Sequence, residues 1–204
     1  MRTIVLGGTR FIGRAVVGEL VEAGHDVLIV HRGEHEPAGL PQVPHVHAHR
    51  RDLVSCVDEL RRFQPEGVVD MCAMTRSDAD QLPVGAGGFL CSRGYAPELA
   101  RGIRLALEHP AAAGEVFNLC EAQCAPVLLW MEQIAAAAGA ELELERVPDG
   151  ELPEDLEIAG DIAQHWMASP AKAELTMGWV HADPEACVRA SVAWHLEHPP
   201  AAPR

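Results

Sequence analysis

Lysine and tyrosine are all but absent from this chain, with Lys172 and Tyr95 the single instance of each. Alanine and arginine are abundant instead, which reads as the codon bias of a high-GC genome and not as chemistry. No apolar run is long enough to cross a bilayer, and Met1-Arg2-Thr3 leads straight into a strand-like run with no leader pattern, so no membrane partner and a cytoplasmic location are expected. The six cysteines, Cys56, Cys72, Cys91, Cys120, Cys124 and Cys187, include no C-x-x-C, which argues for reduced thiols and against a zinc knuckle or a disulfide framework. Positive charge is also scarce: 16 Lys and Arg stand against 30 Asp and Glu, and a net charge of −14 repels phosphate backbones and counts against nucleic acid as a partner. No internal repeat appears.

What is present begins at the N-terminus. Ile4-Val5-Leu6 is a short apolar run of the kind a strand buried on both faces needs, and Gly7-Gly8 stops it. A helix follows, with Ile12, Ala15, Val16, Leu20 and Ala23 at helical spacing and Gly24 where a C-terminal cap is expected. Strand, glycine turn and helix open a dinucleotide fold. There Gly7 allows the tight turn, backbone N–H groups and the positive helix end face a pyrophosphate, and Gly13 lets helix and strand pack closely. The spacing is G-x-x-x-x-x-G, with Arg10 where a middle glycine is usual.

Asp26 to Val30 is a second buried strand at the spacing of a βαβ unit, and it ends in His31-Arg32-Gly33. An NAD-specific site wants a carboxylate at this strand end for the ribose 2′-OH. Arg32 stands there, with Arg10 nearby in the expected fold, and two guanidinium groups suit a 2′-phosphate, so NADP(H) is favoured over NAD(H). The plainer reading of Arg32 is a solvated strand-end residue. Gly33 to Pro44 reads as a loop. In Pro44 to His49 the alternation puts His45, His47 and His49 on one strand face. A step of about 6.5–7 Å between them is too long for one tetrahedral ion without other ligands, so a solvated face is expected and no metal is assigned. Asp52 is placed to cap a helix over Leu53 to Phe63.

Gly67 to Ala73 is a fourth strand whose end, with Cys72, Ala73, Met74 and Thr75, would approach the ribose and nicotinamide. Further helices are expected over Glu98–Glu108, Val127–Ala138, the latter internal and ending at Gly139, and Pro184–Glu197 with Asp183 as N-cap. Strands are expected at Val116–Leu119 and, half exposed, at Leu142–Val147. The acidic run Asp149 to Glu157 reads as solvated surface. Trp166, Trp179 and Trp194, with Met167 and Met177, read as packing residues.

Gly7-Gly8-Thr9-Arg10-Phe11-Ile12-Gly13, His31-Arg32-Gly33, Arg51-Asp52-Leu53 and Val68-Val69-Asp70-Met71-Cys72-Ala73 together resemble the cofactor half of the extended short-chain dehydrogenase/reductases, the NAD-dependent epimerase/dehydratase family. Arg93 to Ala100 resembles the entry to a late helix of that family, Gly114 to Leu119 its last core strand, and Ala171 to Trp179 its "SKA…LGW" stretch. The resemblance implies cofactor contacts from Gly7, Thr9, Arg10, Phe11, Ile12, Gly13, Arg32, Asp52, Leu53, Cys72 and Ala73, with Asp52 at the adenine amino group.

The same resemblance exposes a gap. The family's serine-bearing strand and its helix carrying Y-x-x-x-K belong after Thr75 to Asp80, yet Gln81 to Gly88 runs directly into Phe89-Leu90-Cys91-Ser92-Arg93. The residue four after Tyr95 is Leu99, so no Y-x-x-x-K exists. In the family that pair relays the proton, the tyrosine pKa lowered by the ammonium. The expected fold is therefore a Rossmann-like three-layer α/β sandwich with a mostly parallel sheet, central strands missing and a reduced C-terminal substrate lobe. Residues 1–80 would form the NADP-binding half and 81–204 the remainder, as one compact unit, since 204 residues at 48% hydrophobic bury one sizeable core. Exposed edges would be covered by a second copy or a partner chain. Two functions remain open: an NADP(H)-binding epimerase/dehydratase or reductase relative acting on a small molecule, with Tyr95 and Thr75 the leading acid/base candidates ahead of Asp78, Cys91 and His165; or a non-catalytic nucleotide-binding or interaction protein.

Overall fold

The computed structural model describes residues 1–71, 90–144 and 167–199. Four parallel strands, β1 (Arg2–Leu6), β2 (Asp26–His31), β3 (His45–His47) and β4 (Gly67–Asp70), form a sheet in the order β3-β2-β1-β4. The order reverses between β1 and β4, and ligands of open α/β sheets bind outside the strand ends at that point. Register pairs Leu6 with Val30 on one side and with Asp70 on the other, so all three strand ends reach one edge.

Period-two alternation feeds two cores, one on each face. Val5, Val27, Ile29 and Val69 point to the side covered by α1 (Phe11–Glu22) and α3 (Ala96–Glu108), packing on Val16, Val17, Leu20 and Ala100. Ile4, Leu6, Leu28 and Val30 point to the other, where Leu53, Leu60 and Phe63 of a 3-10 segment (Arg50–Cys56) and α2 (Val57–Phe63) cover them. Helices on both faces of a parallel sheet make the expected three layers. A satellite core of Ala112, Ala173, Met177 and Trp179 joins α3 to α5 (Ala171–Met177), and the Trp179 indole N–H donates to the Glu98 carbonyl at 2.9 Å. A two-stranded antiparallel ribbon, β5 (Leu90–Cys91) with β6 (Ala125–Pro126), precedes α4 (Val127–Ala138), and α6 (Pro184–Glu197) packs on α4.

Polar bonds fasten α3 to α1. Arg104 Nε donates to Glu19 Oε1 at 2.9 Å, and Glu108 Oε1 lies 2.8 Å from His25 Nε2. Burial pushes the Glu108 carboxyl up, but the His25 bond and the Arg104 guanidinium outweigh it and hold the pKa below the ordinary value. A depressed folded-state pKa contributes stability that is present above the ordinary carboxylate pKa and is lost as pH falls through the lowered one. Glu108→Gln is therefore expected to lower stability at pH 7 by about 0.5–1 kcal/mol, since the side chain is one-third exposed, and to flatten the acid limb of Tm against pH. An unchanged acid limb in a thermal-melt series would refute the assignment.

Several sequence expectations need correction. Val116–Leu119 is no strand: β4 has no outer neighbour among the described residues, so this segment has no ladder to join, and Phe117 and Leu119 pack on the satellite core while Val116 is exposed. Residues 141–144 are irregular too, and 145–147 lie outside the described residues. The helix expected from Leu53 is 3-10 to Cys56 and α-helical only from Val57, with Cys56 at the N-cap, so Asp52 does not cap it. Helix α4 keeps its bounds and its Gly139 cap but buries no residue fully. Asp183 caps α6 as expected, its side chain accepting from the Ala186 N–H at 2.9 Å. Trp179 and Met177 are buried; Trp194 and Met167 are exposed, and Trp166 lies outside the described residues.

Candidate functional site

The turn after β1 is shaped by its glycines. Gly7 takes φ +83° and its N–H donates to the Val30 carbonyl at 2.9 Å, tying the turn to β2. Gly13 is pressed on that turn: a Cβ there would stand 2.2 Å from the Gly7 carbonyl oxygen. Only a hydrogen fits, so α1 begins directly against the end of β1. Helix α1 has no side-chain cap and no acid in its first turn, and its N-cap Arg10 is exposed and extended (φ −137°). First-turn N–H groups lack intrahelical partners and carry the positive end of the helix dipole, an arrangement suited to a pyrophosphate. Phe11 enters the left-handed region at φ +46° and is 91% exposed, Thr9 is buried, and Ile12 packs on the α1-side core.

Arg32 lies at the end of β2, more than half exposed and 3.0 Å from Glu34. A surface pair of this kind is worth about 0–1 kcal/mol, so it holds Arg32 only weakly. Asp52 is exposed, while Leu53 packs into the α2-side core. Arg50 Nε donates to Asp70 Oδ2 at 2.7 Å, an ion pair running from the end of β3 to the end of β4. Cys72, Ala73, Met74, Thr75, Asp78 and His165 lie outside the described residues.

A second candidate site lies in the C-terminal part. A cavity of about 460 Å³ is lined by Arg93, Tyr95, Glu121, Trp130, Cys187 and His195 among others. Arg93 donates from Nε and Nη2 to Glu121 Oε2 at 3.1 and 2.8 Å and from Nη1 to Gln133 Oε1 at 3.2 Å, with both charged side chains nearly buried. This pair joins positions 28 residues apart and left no local signal in the sequence. Tyr95 caps α3 by position, and its backbone N–H donates to His181 Nε2 at 3.2 Å. Burial pushes the Tyr95 phenol up, with Cys187 and Glu98 adding to it, so Tyr95 is protonated at neutral pH: able to give a proton, unsuited to take one. Burial likewise raises the Cys91 thiol, which disfavours the thiolate a nucleophile needs.

The expected face is solvated at His47 and His49 and half-buried at His45, and two of its histidines meet groups from β2 and the following loop. The ladder sets His31 opposite His47, and His31, His45 and His47 share one face. Glu36 folds back from the loop to meet them, while His49 stays outside the group. Burial, then His45 and His47, push His31 below the ordinary imidazole value, against the pull of Glu36. Period-two spacing marked two of these side chains; the cross-strand register that adds His31 was not visible locally.

Compared with known proteins, residues 3–83 match the NAD dependent epimerase/dehydratase family. No curated protein matches the sequence. Among solved structures, UDP-glucose 4-epimerase of Thermotoga maritima, solved with UDP-glucose, superposes with a TM-score of 0.76 at 14% identity over 97% of this chain and 99% of that one. dTDP-glucose 4,6-dehydratase of Bacillus anthracis, in complex with NAD, gives 0.74 at 11% identity, covering 97% of each chain. The NAD complex of the Thermus thermophilus UDP-glucose 4-epimerase gives 0.72 at 15% identity, covering 98% of this chain and all of that one. The chain is thus similar to this family in its first 83 residues and shares the fold of these enzymes. Among the described residues, no helix is long and apolar enough to cross a membrane.

Proposed function

We propose, from the likeness of residues 3–83 to the NAD dependent epimerase/dehydratase family, that this chain binds a nicotinamide dinucleotide across the strand ends of β1, β2 and β4, preferring NADP(H). The carrying observation is the contact of Gly13 with the Gly7 carbonyl, a cradle in which any Cβ would occupy the turn. In this reading Gly7, Thr9 and the first turn of α1 at Phe11, Ile12 and Gly13 hold the pyrophosphate. Arg32 and Arg10 take the 2′-phosphate, Asp52 and Leu53 border the adenine, and Cys72 and Ala73 border the nicotinamide. Bound there, the cofactor supplies a hydride donor or acceptor. The residues' own part is to bind, orient and shield it.

Titration with NADPH and NADH, followed by nicotinamide fluorescence and calorimetry, tests the reading. Micromolar NADPH binding, weaker NADH binding and a reversed preference in Arg32→Asp are expected. No binding of either cofactor would refute the site, and an unchanged ratio in the variant would refute the role of Arg32.

The cavity at Arg93 and Tyr95 would take the small molecule, with Tyr95 as proton donor and Thr75 as a further candidate. The second reading, a nucleotide-binding protein without turnover, is favoured by the lack of Y-x-x-x-K and by the raised Tyr95 pKa. Val68 of β4 is 56% exposed, which supports a second copy or a partner covering that face, in a cytoplasmic protein.

A further inference from the structure

We propose that His31, Glu36, His45 and His47 form a structural site for a divalent transition metal of the zinc class. One ligand atom from each side chain lies within 4.8 Å of all the others. Glu36 Oε1 is 3.0 Å from His47 Nε2, 3.6 Å from His31 Nε2 and 3.8 Å from His45 Nδ1, and His31 Nε2 is 3.0 Å from His45 Nδ1. Ligands about 2.0–2.1 Å from a tetrahedral ion stand about 3.3–3.4 Å from one another, so small side-chain shifts complete the coordination shell. The rings meet edge to face at 4.8 and 5.1 Å instead of stacking, which leaves their nitrogen edges free to converge.

The donor set chooses the metal. Three imidazoles and one carboxylate suit Zn²⁺ and its neighbours Co²⁺ and Ni²⁺, whereas Mg²⁺ and Ca²⁺ want oxygen. Four protein ligands fill a tetrahedral shell, so the site is structural and not catalytic. The scaffold is built for convergence. The β2–β3 ladder fixes His31 against His47, and Gly33, at φ +77°, turns the chain so closely past His47 that a Cβ would lie 3.1 Å from its ring. That turn returns the loop so that Glu36 completes the group. The ion would clip the three-residue edge strand β3 and the 33–44 loop to the end of β2.

Loading has a definite local consequence. The Gly33 N–H donates to His31 Nδ1 at 3.2 Å, so without an ion Nε2 carries the ring proton and donates to His45. A metal on Nε2 moves that proton to Nδ1, and the Gly33 N–H loses its acceptor.

The test uses the full chain, free of any affinity tag, titrated with Co²⁺ by visible absorbance and with Zn²⁺ by calorimetry. One equivalent is expected, with the intense visible bands of four-coordinate Co²⁺ and a shift of the Gly33 amide resonance. Glu36→Gln and His47→Ala alter half-exposed side chains outside the core, and circular dichroism checks that both fold. Each is expected to weaken binding by more than the roughly 10- to 100-fold that a lost outer-sphere partner costs, while His49→Ala binds as the parent does. Absence of binding, an octahedral spectrum or equal affinity in all variants would overturn the site and leave a hydrogen-bonded histidine cluster. None of the four ligands is assigned to the dinucleotide, so metal binding and NADPH binding can fail independently.

Discussion

Gly13→Val is expected to abolish dinucleotide binding and to destabilise the protein by about 3 kcal/mol. A Cβ at this position meets the Gly7 carbonyl oxygen at 2.2 Å and the Gly7 carbonyl carbon at 3.1 Å, both backbone atoms that no rotamer change can move. The start of α1 must then back away from the end of β1, and the first-turn N–H groups leave the place where a pyrophosphate would sit. Overpacking costs about 1–3 kcal/mol where side chains can yield, and here none can, so the upper end applies. For a chain of this length that is a fall of about 6–12 °C in Tm, within the stability of an ordinary domain, so the variant still folds and its binding can be measured. Gly18→Ala is the control. It lies in the same helix with nothing within 4 Å of the position its added methyl would take, and is expected to stabilise by about 0.5–1 kcal/mol with binding intact. Parental NADPH affinity in Gly13→Val would sink the cradle assignment.

Glu121→Ala should cost about 3–5 kcal/mol, the usual penalty for leaving one member of a buried ion pair without the other. Arg93 would keep Gln133 and the Trp130 face, 5.8 Å from its guanidinium, but neither offers a countercharge. Replacing both residues with apolar ones of similar volume, Arg93→Met with Glu121→Leu, should recover most of the loss, because no charge is then left uncompensated. Chemical denaturation of Arg93→Met alone, Glu121→Leu alone and the double variant reads this as a coupling energy. A loss under about 1 kcal/mol in Glu121→Ala would mean that water reaches the pair, as it does for surface ion pairs.

The family resemblance and much of the parallel sheet were legible in the sequence because their causes are local. The apolar runs of β1 and β2 and the glycines between β1 and α1 declare themselves within the first few dozen residues, and helix punctuation fixed α4 and α6 at Gly139 and Asp183. The missing Y-x-x-x-K needed only one tyrosine and one lysine to be counted. Tertiary structure decided the rest. Val116–Leu119 has the pattern of a strand, but a strand exists only beside another, and β4 offers no outer neighbour among the described residues. The Arg93–Glu121 pair and the meeting of His31 with His45, His47 and Glu36 join distant positions through packing and register, which periodicity along one segment cannot encode. Local spacing thus determined which elements form, and long-range pairing determined which side chains meet.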